Sequence, residues 1–333
     1  MKKAIIISLL FGVLAANVFA QLTFTGSAYA GIRLQNTPDD GTEVTTMHRE
    51  EGAPRFNVTA TAMRGNYGVR LDTTLQMTED PDGHFTLNGI YGWAGFLDNS
   101  LRLTMGRISS AAWVTRLHSS LHEHFFDEIT GFRLEYSTPV QGLSVGAAFR
   151  ANGHSLQTFG EQMILGATFI HPIFNAVFAY DLGNNVRTLF GFNFTGIPDL
   201  TAGIQLRAMH LASWDDDFFP GLLEMHQMVG FRLMRPLNVF LIFGQTFHGT
   251  EDSYVELEFT PGVEFRILPN LVASFMLTID SPDQFTTTNL TLNPMLEYTL
   301  RGPAVFYLEY QLRLEDMSAA THTFGFGVTV RAF

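Results

Sequence analysis

Leu22-Thr23-Phe24-Thr25-Gly26-Ser27-Ala28-Tyr29-Ala30-Gly31-Ile32-Arg33-Leu34-Gln35 alternates without a break. Its even positions carry Leu, Phe, Gly, Ala, Ala, Ile and Leu, and its odd positions carry Thr, Thr, Ser, Tyr, Gly, Arg and Gln. A period of two is a strand with one apolar and one wet face. Tyr67 to Thr78 repeats it, with Tyr67, Val69, Leu71, Leu75 and Met77 set against Arg70, Asp72, Thr74 and Gln76. So does Tyr254 to Ile267, where Val255, Leu257, Phe259, Val263, Phe265 and Ile267 oppose Glu256, Glu258, Thr260, Glu264 and Arg266. No stretch carries a sustained apolar period of three to four, and Gly, Thr and Phe recur throughout, so long helices are not expected.

The links between such segments alternate in length. Arg64-Gly65-Asn66, Asp98-Asn99-Ser100, Pro139 to Gly142, Ile197-Pro198-Asp199, Pro269-Asn270 and Arg301-Gly302-Pro303 are tight. Asn36 to Pro54, Ile108 to Glu128, Ala212 to Gly221 and Glu315 to Thr321 are long and polar. Short links on one side and long ones on the other predict an all-β, transmembrane, antiparallel up-and-down β-barrel of 16–18 strands. Eighteen segments are counted, from residues near 22, 55, 67, 85, 100, 129, 143, 161, 174, 186, 200, 222, 237, 254, 271, 288, 304 and 322. The even number puts both termini on the short-turn, periplasmic side.

A soluble sandwich would also alternate, but its apolar face would pack against a second sheet. The charges and aromatics favour a barrel in lipid. Arg33, Arg70, Arg102, Arg133, Arg150, Arg187, Arg207, Arg232, Arg266, Arg313 and Arg331 all oppose the apolar face. Asp72, Glu135, Asp181, Glu224, Glu256, Glu258, Glu264, Asp280, Glu297 and Glu309 do the same. Tyr67, Trp93, Tyr136, Phe169, Phe174, Phe231, Phe265 and Tyr298 are expected on the lipid face near the short turns, as an aromatic girdle. Sheet edges cannot be left unpaired in hydrocarbon, so the sheet must close.

The 333 residues are 16% charged and 13% aromatic, which is too apolar for disorder, and no stretch after Ala20 is long enough for a helical span. The absence of cysteine excludes disulfides, thiol nucleophiles and Cys-ligated metals. Lys2-Lys3, the apolar run Ala4 to Val18 and Val18-Phe19-Ala20 read as a signal peptide over 1–20, cut before Gln21. The formal charge of −12 then becomes −14, because Lys2 and Lys3 are the only lysines. A net-acidic chain without a basic patch is not expected to bind nucleic acid.

The long-link end is acidic: Asp39, Asp40, Glu43, Glu50, Glu51, Asp80, Asp82, Asp215, Asp216, Asp217, Glu251 and Asp252 outweigh Arg49, Arg55, Arg107 and Arg116. Such a mouth enriches cations, an effect that fades with salt. The link 108–128 holds Trp113, Arg116, His118, His122, Glu123, His124, Phe125, Phe126, Asp127 and Glu128. So apolar a loop is costly to leave in water, so it is expected to fold into the barrel against a wall drawn from Arg33, Arg70, Arg102, Arg133 and Arg150. Loop acids opposite wall arginines would set a transverse field in the constriction.

Tyr91-Gly92-Trp93-Ala94-Gly95-Phe96, the turn Asp98-Asn99-Ser100, and Leu101 to Met105 with Gly106 and Arg107 resemble a known segment. It is the strand–turn–strand unit that precedes the constriction loop in general Gram-negative porins, and the terminal Phe333 is similar to the barrel-assembly signal of outer-membrane proteins. The resemblance implies an outer-membrane channel for passive diffusion of small hydrophilic solutes and ions, with lipid as its surroundings and no cofactor. It implies loop roles for Glu123, Asp127 and Glu128 and wall roles for Arg33, Arg70 and Arg102. The acidic mouth adds a mild cation preference. Eighteen strands suits a substrate-specific, sugar-type channel, the alternative within the class. A homotrimer is one assembly open to such a barrel.

Other classes are weaker. His118, His122 and His124 with Glu123 match no closed metal site. Asp39-Asp40, Asp80 with Asp82, and Asp215 to Asp217 lack a calcium loop with its closing glutamate. His210, His226, Ser213 and Asp215 form the one hydrolase-like cluster, and no Gly-x-Ser-x-Gly elbow accompanies it, so no enzyme is expected. An adhesin or structural barrel presenting acidic loops is the remaining non-channel reading.

Overall fold

The computed structural model describes residues 21–38, 41–47, 53–76, 84–108, 129–151, 163–182, 186–210, 221–249, 254–282, 286–300 and 303–332. The expected signal peptide and the loop beyond Ile108 lie outside them. The strands are β1 (Gln21–Thr37), β2 (Gly41–Thr45), β3 (Arg55–Arg64), β4 (Tyr67–Gln76), β5 (His84–Phe96), β6 (Leu101–Ile108), β7 (Ile129–Ser137), β8 (Leu143–Arg150), β9 (Met163–His171) and β10 (Phe174–Asp181). They continue as β11 (Val186–Phe194), β12 (Leu200–His210), β13 (Leu222–Met234), β14 (Leu237–His248), β15 (Tyr254–Leu268), β16 (Leu271–Ser281), β17 (Asn289–Thr299), β18 (Ala304–Glu315) and β19 (Ala319–Ala332).

Every consecutive pair from β3 to β19 is antiparallel, and β19 returns to β1 with Gly26 opposite Ala332 and Asn36 opposite His322. The ring of strands is therefore closed, the condition hydrocarbon imposes on a spanning sheet. β1 meets two partners on its other side: Gln21 to Tyr29 pair with β3, and Arg33 to Thr37 pair with β2. β2 and β3 are thus two halves of one stave, which makes an 18-stave barrel from 19 strands. The polar composition of 36–54 predicts a loop there. Thr42-Glu43-Val44-Thr45 instead extends β-pairing with β1.

Side chains that pair across a ladder share a face, so one assignment propagates round the barrel. Leu22, Phe24 and Ile32 are 40, 57 and 50% exposed, and the same face carries Phe56, Leu75, Leu134, Val145, Phe178, Phe190, Phe259 and Phe326, all exposed. A sandwich would have buried them. This ring of solvent-open apolar side chains is the surface that lipid covers in a transmembrane barrel.

The tight turns gather with both ends of the strand order at one rim. In the β5–β6 turn Leu97, Asp98 and Asn99 all have positive φ (51°, 55° and 67°), and Ser100 N–H donates to the Leu97 carbonyl at 3.0 Å. Asp and Asn tolerate this left-handed geometry, which suits the twist of a tight hairpin.

Candidate functional site

The opposite face lines the bore. From β1 to β12 its cations are Arg33, Arg55, Arg70, Arg102, Arg133, Arg150, Arg187 and Arg207, and its acids are Glu43, Asp72, Glu135 and Asp181. From β13 to β18 the balance reverses. Glu224, Glu256, Glu258, Glu264, Asp280, Glu297, Glu309 and Glu315 stand against Arg232, Arg266 and Arg313. The wall itself is therefore bipolar, basic over one arc and acidic over the other. A field across the bore needs no loop to create it.

All five expected wall arginines sit on this face, along the arc from β1 to β8. Arg150 grips Asp181 with both nitrogens, NH1 to Oδ1 at 2.8 Å and NH2 to Oδ2 at 2.6 Å, reaching across β9. Such a fork-to-fork pair fixes geometry as well as charge. Arg133 donates to Glu135 at 2.9 Å and is only 5% exposed. Arg70 Nε donates to Asp72 at 2.9 Å, and the Thr59 hydroxyl donates to the same carboxylate at 2.6 Å. Arg33 NH1 lies 3.4 Å from the Met47 sulfur. Arg102 faces Glu135 across the β6–β7 ladder, yet its guanidinium stacks 4.9 Å from the centroid of the Trp93 ring. Where the two arcs meet, Arg207 of β12 pairs with Glu224 of β13 at 2.7 Å, and on the acidic arc His248 meets Glu256 at 3.0 Å while stacking on Tyr254 with centroids 4.1 Å apart.

Trp93 corrects the expected girdle. It pairs with Gly68 and Thr104, so it faces the bore rather than lipid. The cause is a bulge. Asp72 pairs with Gly89 but Thr73 with Leu87, which leaves Asn88 as an extra residue. One inserted residue flips every side chain beyond it to the other face. The space that Trp93 fills exists because residue 68 is glycine: a Cβ there would fall 2.5 Å from the indole.

A second feature was not expected. Ile129, Ala148, Ile164, Ala179 and Leu189 form one cluster on the bore face, and Ala148 and Ile164 have no solvent exposure at all. Ile108, opposite Ile129, is also buried. The signal was present in Met163-Ile164-Leu165, apolar on both parities, which is how a strand buried on both faces reads.

The loop residues Arg116, Glu123, Asp127 and Glu128, the histidines 118, 122 and 124, and Ser213 and Asp215 lie outside the described residues. Of the hydrolase-like cluster, His226 pairs with Gln205 on the bore face, and the backbone of His210 pairs with that of Val186. Among the described residues no three His, Asp or Glu side chains form a metal-binding group.

No protein-family model matches the sequence, and no curated protein matches it either. Solved structures do. OpdO of Pseudomonas aeruginosa superposes with a TM-score of 0.66 over 94% of this chain and 97% of its own, at 11% identity. OpdQ of the same organism gives 0.67 over 93% and 98%, also at 11%. The fold is that of the outer-membrane porins. An anion-selective porin from Comamonas acidovorans is a further match, with a TM-score of 0.58, 10% identity and coverage of 93% of this chain and 99% of that one. The porin-like barrel thus covers nearly the whole described chain, while the identities are too low to carry over any residue's role.

Proposed function

We propose that this protein is an outer-membrane porin, a water-filled channel through which small hydrophilic solutes diffuse without covalent chemistry or cofactor. The observation that carries the reading is the charged inner face of a closed 18-stave barrel. A barrel of that size leaves an aqueous channel rather than a packed core, and a wall with this many ionised side chains is wet. One chain closes the whole barrel, so conduction requires no partner subunit.

Residues 1–20 are the export signal in this reading. The loop 108–128 folds inward in this reading and narrows the bore against the arginine arc; Glu123, Asp127 and Glu128 are its acids and Arg116 its cation. Support comes from the aromatic and apolar composition of that loop, which is costly to leave in water. The acidic mouth gives a mild cation preference. Reversal potentials across a potassium chloride gradient at low salt are the check, and an anion preference overturns that part alone.

Liposome swelling tests the channel. Vesicles holding the refolded protein swell in small sugars at rates that fall with solute size; no swelling in any of them contradicts the reading. A substrate-specific channel is the second reading, favoured by the bipolar wall. It predicts that one solute class enters much faster than others of equal size.

A further inference from the structure

At the short-turn rim, the ends of β13, β14, β15, β16 and β17 surround a cavity of about 590 Å³. That volume is in the range of small-molecule sites, about 300–1,000 Å³. Arg232, Arg235, Arg266, Asn238, Glu264 and Glu297 supply its polar lining. A neighbouring 360 Å³ cavity shares Arg232, Asn238 and Glu264 with it.

The polar groups are not equivalent. Arg232 is engaged: its Nε donates to Asn238 Oδ1 at 3.4 Å and its NH1 lies 3.3 Å from Asp199. Asn238 in turn donates from Nδ2 to Glu264 Oε2 at 3.3 Å. These contacts hold one guanidinium and one carboxylate in place. Among the described residues, Arg235 and Arg266 have no ion-pair partner, yet both line the same cavity.

Two bulges set this up. The β13–β14 ladder slips between Arg232 and Met234, and the β15–β16 ladder slips between Arg266 and Leu268. Leu233 and Ile267 are the extra residues. Bulges at a barrel rim re-aim neighbouring side chains, and both of these sit against the cavity. The turns that follow, Arg235-Pro236 and Pro269-Asn270, contain prolines that fix the backbone at the same place.

We propose that this cavity is an oxyanion site for a small phosphate-bearing solute, held by Arg235 and Arg266 at the inner mouth. A carboxylate has two oxygens, which one guanidinium fork satisfies. Two unengaged forks on one cavity match the three terminal oxygens of a phosphate. Asn238 and Glu264 then face the remainder of the solute and select hydroxyl groups. The inference deepens the channel reading and rests on it for the solute's route, but not for binding itself.

Calorimetric titration of the refolded full chain in detergent micelles with inorganic phosphate tests it. Half-saturation is expected on the order of 1 mM, and R235Q/R266Q should bind at least about tenfold more weakly. Acetate should bind more weakly than phosphate. Equal phosphate affinity in the double variant, or acetate binding as tight as phosphate, overturns the proposal. Should the double variant not fold, R235Q and R266Q are titrated singly, and unchanged affinity in both overturns it equally. Glycerol 3-phosphate should compete with phosphate; competition by phosphatidylglycerol alone would make the ligand a lipid headgroup and overturn the solute assignment. Potassium chloride conductance separates this from the channel reading. Conductance without arginine-dependent phosphate binding removes only the site, and arginine-dependent binding without conductance removes only the channel.

Discussion

The ring of Tyr307 on β18 occupies the space above Gly327 of β19, so that a Cβ on residue 327 would fall 2.5 Å from the tyrosine oxygen. The same oxygen would lie 2.7 Å from a Cβ on Gly31 of β1. One bore-facing side chain, 3% exposed, thus bridges three strands across the seam where the chain's two ends meet. Closure depends on glycine at both positions.

Filling that trough should hurt. Gly327→Val forces Tyr307 out of place, and overpacking of this kind costs about 1–3 kcal/mol. Tyr307→Ala removes the ring and should cost about 3 kcal/mol, as large aromatic truncations do. Urea unfolding of the barrel in lipid vesicles reads both, with Phe326→Ala on the lipid face as the milder comparison.

Arg150 and Asp181 make the best-formed ion pair of the wall. Asp181→Ala leaves a half-buried guanidinium without its partner and should cost about 3 kcal/mol or more. The double change R150M/D181L should recover most of that loss, since apolar replacements of a buried pair are often neutral. The same urea titration distinguishes these outcomes. Equal loss in single and double variants would contradict the pairing.

Trp93 should sense water, not lipid. In a W113F/W214F background its fluorescence should be quenched by acrylamide from the aqueous phase and not by brominated acyl chains. Quenching by the brominated lipid alone would return Trp93 to the outer face and remove the bulge at Asn88.

The two faces of one strand should respond oppositely to charge. Phe178→Arg on the lipid face of β10 should cost about 2–4 kcal/mol near the bilayer midplane. Asn175→Arg on the bore face should change conductance with little effect on unfolding.

The barrel was legible because its physics repeats. A period of two, with the strand arginines on one parity except Arg64 and Arg107 at the strand ends, survives small errors in strand limits, and segments counted from residues such as 67, 129, 143, 222 and 254 begin where β4, β7, β8, β13 and β15 begin. Arg33, Arg70, Arg102, Arg133 and Arg150 follow from the same parity. Trp93 was misplaced because a bulge changes phase without altering composition; Asn88 looks like any strand residue until its pairing is known. The Ile164 cluster was missed because a strand apolar on both parities carries no phase. The cavity beside Arg266 depends on two slips of one residue, and no periodicity announces those. The segregation of charge between the arcs of β1–β12 and β13–β18 follows the chain order of the wall residues, with arginines ahead of most of the glutamates.

Single-channel recording in a planar bilayer tests the central claim most directly. The refolded protein should insert in discrete steps, each adding an open, ohmic conductance in potassium chloride. A preparation that shows full barrel structure by circular dichroism, reaches the bilayer and yet passes no ions would contradict the account of a watery bore inside an apolar cylinder.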